Sequence, residues 1–246
     1  MEILGIIPAR YGSTRFPGKP LVEINGKPMV ELVYEQAVKS RMLKKVVVAT
    51  DNDKIFNQVK EFGGEVMMTS PQHQSGTDRC AEIISKPDQQ NWDVIVNIQG
   101  DEPFIHPSQI DSLCRCFEKP ETQIATLIKA IQTNEELFNH NNVKVIINKY
   151  KQALYFSRSP LPYCRNFPDH EWLKQHIYYK HIGIYGYRAS VLKEIAALPK
   201  TKLEITESLE QLRWLENGYV INTEITTAES IAIDTPEDLM RIKNVS

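Results

Sequence analysis

Three apolar runs in the first hundred residues, each emptying into a polar loop, constrain the fold more than any other feature. "ILGIIP" (3–8) leads into "RYGSTRFPGK" (10–19), "KVVVAT" (45–50) into Asp51, and "DVIVNI" (93–98) into "QGDEP" (99–103). Near-continuous β-branched runs mark strands covered on both faces, as in a parallel sheet. Between them lie segments of helical period: 28–39, with Val30, Val33, Tyr34 and Ala37 on one face; 53–62, stopped by Gly63-Gly64; and 77–85. Residues 65–68 read as a short strand. Strand and helix in alternation are βαβ units, so this part predicts a doubly wound α/β sheet.

After a helix at 107–118 the rhythm changes. "IATLIKAI", "VKVIIN", "ALYFSRS" and "HIGIYGYR" are strand-like with fewer helices between them. They predict a mixed sheet, or an excursion on the sheet edge, with 165–178 as a surface arm. A helix at 204–216 is expected to carry Ile205, Leu209, Leu212 and Leu215 on one stripe. The last helix begins with Thr235 as N-cap, Pro236 at N1 and Asp238 at N3. A chain of 246 residues accommodates all of this as one domain, 1–246, with an excursion at about 153–185.

Net charge is −2 and no polybasic tract is present, which argues against general nucleic-acid or membrane-surface binding. No stretch is apolar and long enough to span a bilayer, and the first ten residues lack the charged and apolar regions of a signal peptide. Cys80, Cys114, Cys116 and Cys164 match no zinc spacing and read as reduced structural thiols of a cytoplasmic protein.

Ligands of open α/β sheets bind beyond the carboxyl ends of the strands, where the polar loops lie. Arg10, Arg15 and Lys19 crowd the first loop among Gly12, Ser13 and Gly18. Small residues let main-chain N–H groups approach an anion, Arg adds forked donors and Lys a point charge. The loop is not a Walker motif: five residues separate Gly12 from Gly18, and Pro20 follows Lys19. Read alone, it is equally a solvated surface loop. Asp101 follows a buried strand and Asp234 ends "SIAI"; carboxylates so placed suit Mg²⁺ beside phosphates, while each alone is also an ordinary turn or capping residue. Together with the cationic loop they describe a site for a nucleoside triphosphate and Mg²⁺. "HQSGTDR" (73–79) is a turn into a helix whose Ser75 and Gly76 could face a base edge, or simply cap the helix. "YFSR" (155–158), "KHIGIYGYR" (180–188) and "ESLEQLR" (207–213) hold the Arg, Tyr, His, Glu and Gln that an acidic polyol would need; core packing of Tyr185 and Tyr187 and a solvated helix face for Glu210 and Gln211 are the plainer readings.

Taken together, "IIPARYGSTRFPGKPL", "VVVATD", "HQSGTDR", "VNIQGDEP", "ALYFSRSPLP", "HIGIYGYR", "LEQLRWL" and "IDTPEDL" resemble the 3-deoxy-manno-octulosonate (Kdo) cytidylyltransferases, from Ile6 to about Arg241. The first motif is shared with other sugar nucleotidyltransferases; the later ones are more specific. Gly12 and Asp78 stand where the family often has Ala and Glu, and 165–178 follows no pattern of it. The resemblance implies a nucleotide-diphospho-sugar transferase fold, Mg²⁺, a homodimer formed through the excursion, and CTP and Kdo as substrates of lipopolysaccharide biosynthesis. It implies that Arg10, Ser13, Arg15 and Lys19 hold the triphosphate, with Arg10, Arg15, Lys19 and Asp101 as the catalytic set. Ser75, Gly76, Arg79, Gln99 and Gly100 would surround the cytidine, and Asp101 and Asp234 would bind the metal. Arg158, His181, Tyr185, Glu210 and Gln211 would hold the sugar acid. A sialic-acid cytidylyltransferase, and a nucleotide-binding regulator without turnover, are the competing readings; "HIGIYGYR" speaks against the first and the presence of Lys19 and Asp101 against the second.

Overall fold

The computed structural model describes residues 1–12, 16–87, 91–229, 233 and 235–243. The β-branched runs form strands as expected: β1 (Ile3–Ala9), β2 (Lys45–Thr50), β3 (Val66–Met68) and β4 (Val94–Asn97). They are followed by β5 (Ile124–Ala130), β6 (Lys144–Ile147), β7 (Ala153–Ser157), β8 (Tyr179–Arg188) and β9 (Ile221–Ile225). Among the described residues these nine make one sheet in the order β9-β5-β8-β4-β1-β2-β3, with β6 on β8 and β7 on β6. β1 to β5 and β9 share one direction; β8 runs against both its neighbours, β4 and β5. The sheet is thus mostly parallel, with a mixed, antiparallel excursion where the rhythm of the sequence changes.

Helices α1 (Met29–Ala37), α2 (Asp53–Glu61), α3 (Gly76–Ser85), α4 (Pro107–Arg115), α5 (Asn134–Phe138), α6 (Trp172–Gln175) and α7 (Ala189–Ala196) follow in chain order. Alternation along β1 divides the core. Ile3 and Ile7 pack with Val33 of α1 and Leu113 of α4 on one face; Leu4 and Ile6 pack with Ile83 of α3 and Leu192 of α7 on the other. Register sets the active edge: Ala9 lies opposite Thr50, and Ile6 opposite Asn97, so the loops after β1, β2 and β4 open side by side.

Several expectations need correction. The helix from 107 stops at Arg115 and tightens to a 3₁₀ turn at Cys116–Glu118. The expected helix 204–216 is two, α8 (Lys202–Glu207) and α9 (Gln211–Glu216), broken at Ser208, whose φ is 52°. The break turns Ile205 outward, 65 % exposed, off the buried stripe. What joins the pieces is an ion pair: Arg213 grips Glu204 with two bonds of 2.8 and 2.6 Å, both side chains under 10 % exposed. The arm 165–178 carries a small core of its own, with Trp172 and Tyr178 packed on Ile131 and Leu137. Strand β9 gave no signal because Asn222 and Glu224 interrupt its apolar residues. The final helix, α10 (Pro236–Lys243), is capped as read, Thr235 Oγ1 accepting from Asp238 N at 3.3 Å.

Candidate active site

A pocket of about 230 Å³ opens over the carboxyl ends of β1 and β4, lined by Arg10, Lys19, His73, Gln74, Ser75, Gly76, Arg79, Gln99, Gly100 and Asp101 with Pro8, Ala9 and Pro20. Three loops distant in sequence therefore converge, and they bring together the described members of the triphosphate and cytidine sets. Ser13, Arg15 and Asp234 lie outside the described residues.

Each loop is shaped by a local requirement. The first closes on itself, Gly18 N donating to Tyr11 O at 2.9 Å, with Gly18 at φ 71° where a side chain would be strained. Gly100 is required by contact: a Cβ there would sit 2.6 Å from the Pro8 carbonyl oxygen. The absence of a side chain lets the loop after β4 rest directly on the end of β1. Ser75 caps α3 in a reciprocal box, accepting from Asp78 N while its own N–H donates to Asp78 Oδ2, both at 3.1 Å. The positive end of α3 thus opens on the pocket, a favourable place for an anion.

Arg79 is on the wall, but its guanidinium is engaged: it pairs with Asp51 at 2.6 Å and donates to Thr69 Oγ1 at 2.7 Å and the Ser70 carbonyl at 3.2 Å. At 3 % exposure it ties α3 to the end of β2 and so positions Ser75 and Gly76. Lys19 Nζ bonds Asp101 Oδ2 at 2.7 Å, and the Asp101 carbonyl accepts from Ile233 N at 2.9 Å. The described residues contain no cluster of three His, Cys, Asp or Glu fit to cage a metal. A hard carboxylate, 27 % exposed beside a cationic pocket, suits the sparse protein coordination of Mg²⁺, whose shell is completed by phosphate oxygens and water.

Behind the wall formed by 75–77 lies a second, buried set. Thr77 Oγ1 donates to Glu210 Oε2 at 2.9 Å. Tyr185 and Tyr187 stack at 6.0 Å, and Trp214 of α9 meets both edge-on at 5.0 and 5.6 Å. Asn97 Oδ1, both tyrosine hydroxyls and Trp214 Nε1 are buried without hydrogen-bond partners, and Glu210 Oε1 faces the Arg213 guanidinium at 3.7 Å. Each unpartnered atom costs about 1–3 kcal/mol unless something pairs with it. Burial holds the Glu210 carboxyl above the ordinary range, opposed by the Thr77 hydroxyl and the Arg213 guanidinium. Gln211 is buried beside it at the start of α9.

His181 joins this set. Its Nε2 lies 2.9 Å from Thr126 Oγ1, which also reaches the Ile184 carbonyl at 2.8 Å and the Ile182 carbonyl at 3.2 Å. With the hydroxyl proton on either carbonyl, Nε2 carries the ring proton and Nδ1 the lone pair. Desolvation pushes its pKa down to about 3, so it is neutral. His181 and Tyr185 flank a register shift in the pairing of β8 with β5, a bulge that re-aims side chains beside a site. Gln99 Nε2 bonds the Gly183 carbonyl within it at 3.0 Å, linking pocket and buried set.

Arg158 stands apart from this set. Three of its N–H groups reach the carbonyls of Glu207, His140 and Ser208 at 2.8, 3.2 and 3.4 Å. It joins β7 to the α8–α9 break, and it does not line the pocket. Asp51, Thr77, Asn97 and Tyr187 have no site role in the sequence reading, although Asp51 opens a strand-end loop, Tyr187 lies in a polar, aromatic segment and Asn97 is a polar residue inside "DVIVNI". All four cysteines are free thiols, Cys80 and Cys114 buried.

A cation-lined pocket with a helix N-terminus, over the carboxyl edge of a mostly parallel sheet, defines a nucleotide-binding α/β protein. The cytidylyltransferase family model matches residues 4–231. A 3-deoxy-manno-octulosonate cytidylyltransferase from Parabacteroides distasonis is 59 % identical over 97 % of this chain and 96 % of its own. One from Thermodesulfovibrio yellowstonii is 48 % identical over 97 % and 96 %. A solved CMP:2-keto-3-deoxy-manno-octonic acid synthetase complexed with CTP superposes with a TM-score of 0.91 at 41 % identity, covering all of this chain and 98 % of that one. The chain belongs to the cytidylyltransferase family, in its 3-deoxy-manno-octulosonate branch.

Proposed function

We propose that this protein joins CTP and Kdo to give CMP-Kdo and pyrophosphate, activating Kdo for lipopolysaccharide assembly in the cytoplasm. The observation that carries this reading is the convergence of Arg10, Lys19, Ser75, Gly76, Gly100 and Asp101 on one pocket, in a chain 59 % identical to a protein named for the reaction. The C2 hydroxyl of Kdo attacks the α-phosphorus of CTP in line, the P–O bond to the β-phosphate breaks, and pyrophosphate leaves. Catalysis is positioning and electrostatics, with no covalent enzyme intermediate.

In this reading Arg10 and Lys19 receive the phosphates, and Ser75, Gly76, Gln99 and Gly100 surround the cytidine. Asp101, with Asp234 outside the described residues, would hold Mg²⁺, which supplies charge neutralisation at the reacting phosphate. Tyr185, His181 Nδ1, Glu210 and Gln211 pair with the sugar hydroxyls, and the two remaining Arg158 N–H donors with the carboxylate. Arg79 acts through Ser75 and Gly76 as a positioning residue.

The test is pyrophosphate release with Mg²⁺, CTP and Kdo, set beside N-acetylneuraminate and the other nucleotides. Release with CTP and Kdo alone is the expected result; equal turnover of N-acetylneuraminate would overturn the sugar assignment. A homodimer is part of the proposal. Leu154, Tyr163, Phe167 and Ile177, all exposed on the excursion, supply an apolar surface for it. Light scattering at micromolar concentration should give twice the chain mass. No helix among the described residues is long and apolar enough to cross a membrane.

A further inference from the structure

We propose that a second cavity, away from the catalytic pocket, binds a phosphate monoester with a hydroxylated body, in chemical class a sugar phosphate. The cavity measures about 320 Å³ and lies between the end of α4, the turn ahead of β5 and the edge strand β9. Small-molecule sites span about 300–1,000 Å³. This cavity adjoins the amino-terminal end of β5, whereas the catalytic pocket opens over the carboxyl ends of β1 and β4. The two share no lining residue.

Charge selects the ligand. Among the described residues Arg115, Lys119 and Lys151 line the cavity with a single carboxylate, Glu224. Three cations against one carboxylate leave two positive charges in excess, a match for the charge of about −1.5 to −2 on a phosphate monoester near pH 7. Glu224 is engaged by Lys151 at 3.0 Å. Arg115 Nη2 donates to Ser112 Oγ at 2.9 Å, and among the described residues no carboxylate pairs with Arg115 or Lys119. The negative end of α4 accounts for a cation at Arg115. It does not account for Lys151, which comes from another part of the chain and is held at φ 58°. That left-handed conformation is unfavourable for a residue with a side chain. The turn is kept there by β9, Thr223 N and Oγ1 both donating to the Lys151 carbonyl at 2.8 Å.

The wall is built before any ligand arrives. Arg188 Nη2 donates to the carbonyls of Phe117 and Lys119 at 2.8 and 3.1 Å, and its Nε to the Thr122 carbonyl at 3.1 Å. Thr122 lines the cavity at 1 % exposure, yet its hydroxyl has no hydrogen-bond partner. A buried hydroxyl in that condition calls for a ligand or water to pair with it. Asn222 and Glu224 stand two apart on β9 and so share a face. Their amide and carboxylate suit the hydroxyls of a polyol, while the guanidinium and ammonium groups opposite suit its phosphate.

Calorimetric titration of the full chain with ribose 5-phosphate tests this. One equivalent should bind with a Kd on the order of 100 μM; no heat up to about 10 mM overturns the proposal. The double variant Arg115→Gln, Lys119→Gln should bind it about 10-fold more weakly and keep its pyrophosphate release, because neither side chain lines the catalytic pocket. Lys19→Met removes a cation from the catalytic pocket and should leave the ribose 5-phosphate Kd unchanged. If Lys19→Met abolishes the binding and the double variant does not, the phosphate sits in the catalytic pocket and the proposal falls. Inorganic phosphate and ribose, titrated separately, should each bind about 10-fold more weakly than the ester. Inorganic phosphate binding equally well would overturn the hydroxylated body, and ribose binding equally well would overturn the phosphate. Thr122→Val keeps the shape of the wall and should weaken the ester about 3-fold; an unchanged Kd would overturn the part given to the buried hydroxyl.

Discussion

Around Arg10, Lys19 and Gly100 the site is made of main chain, glycine and accessible charge, whereas around Tyr185, Tyr187 and Glu210 it is made of buried polar side chains, several of whose atoms lack hydrogen-bond partners. The first region suits a ligand whose charge does most of the binding: forgiving of sequence, sensitive to backbone position and screened by salt. The second suits a ligand recognised by hydroxyls. Unpaired buried donors and acceptors penalise any molecule that fails to satisfy them, which is how a site built for hydrogen bonding rejects an analogue. In the proposed reading one short chain divides its labour, using electrostatics for affinity at the sheet edge and desolvated polar groups for selectivity behind it.

The largest effect is expected at Asp101. Asp101→Asn should lower kcat by roughly 10³-fold while Kdo binding, read separately by calorimetry, stays unchanged. Retained turnover with Mg²⁺ would remove the charge-based account of the first region. Next comes Gly100→Ala, whose new Cβ meets a main-chain oxygen that cannot rotate away. A loss of about 2 kcal/mol, near 6 °C in Tm, is expected, with weaker CTP binding; an undisturbed Tm would show that the loop is less tightly seated than the contact requires. In the second region, Glu210→Gln should raise the KM for Kdo about 10-fold and leave the Kd for CTP within a factor of two. Equal effects on both ligands would erase the division.

The smallest effect concerns His181. Its folded pKa of about 3 lies below the ordinary 6.5, so between these values the unfolded chain binds a proton that the folded chain does not. The stability it contributes is present above pH 6.5 and is lost as pH falls toward 3. His181→Gln should flatten that part of the Tm profile by about 3 °C. An unchanged slope would mean that the imidazole is more accessible than its packing implies.

The same contrast explains what could be read in the sequence. The pocket was legible because strand ends, glycines and cations are local signals: Arg10 to Lys19 and Gln99 to Glu102 announce themselves after β-branched runs. The buried set was not. Tyr187 and Thr77 look like core residues, and Asn97 like an interruption; the register of β8 against β4 and the seat of α3 bring them together, while the polar, aromatic make-up of their segments and the resemblance pointed to His181, Glu210 and Gln211. Arg79 illustrates a second limit. An arginine in a motif reads as a ligand-binding cation, whereas Asp51, Thr69 and the Ser70 carbonyl become its partners only once the chain has folded. The break at Ser208 was hidden for a similar reason, since a helical period can continue across a kink that a distant ion pair holds in place.

One consequence of the packing around α9 is optical. Of the three tryptophans, Trp92 lies near the start of β4 and Trp172 in the arm, while Trp214 is wedged edge-on against Tyr185 and Tyr187 with its indole N–H unpaired. An indole so placed emits according to changes among the buried polar groups it touches. The chain therefore carries a native fluorophore at the boundary between its two kinds of binding surface. Its emission should follow the second ligand and be nearly blind to the first, so that the order in which they arrive can be watched without a label.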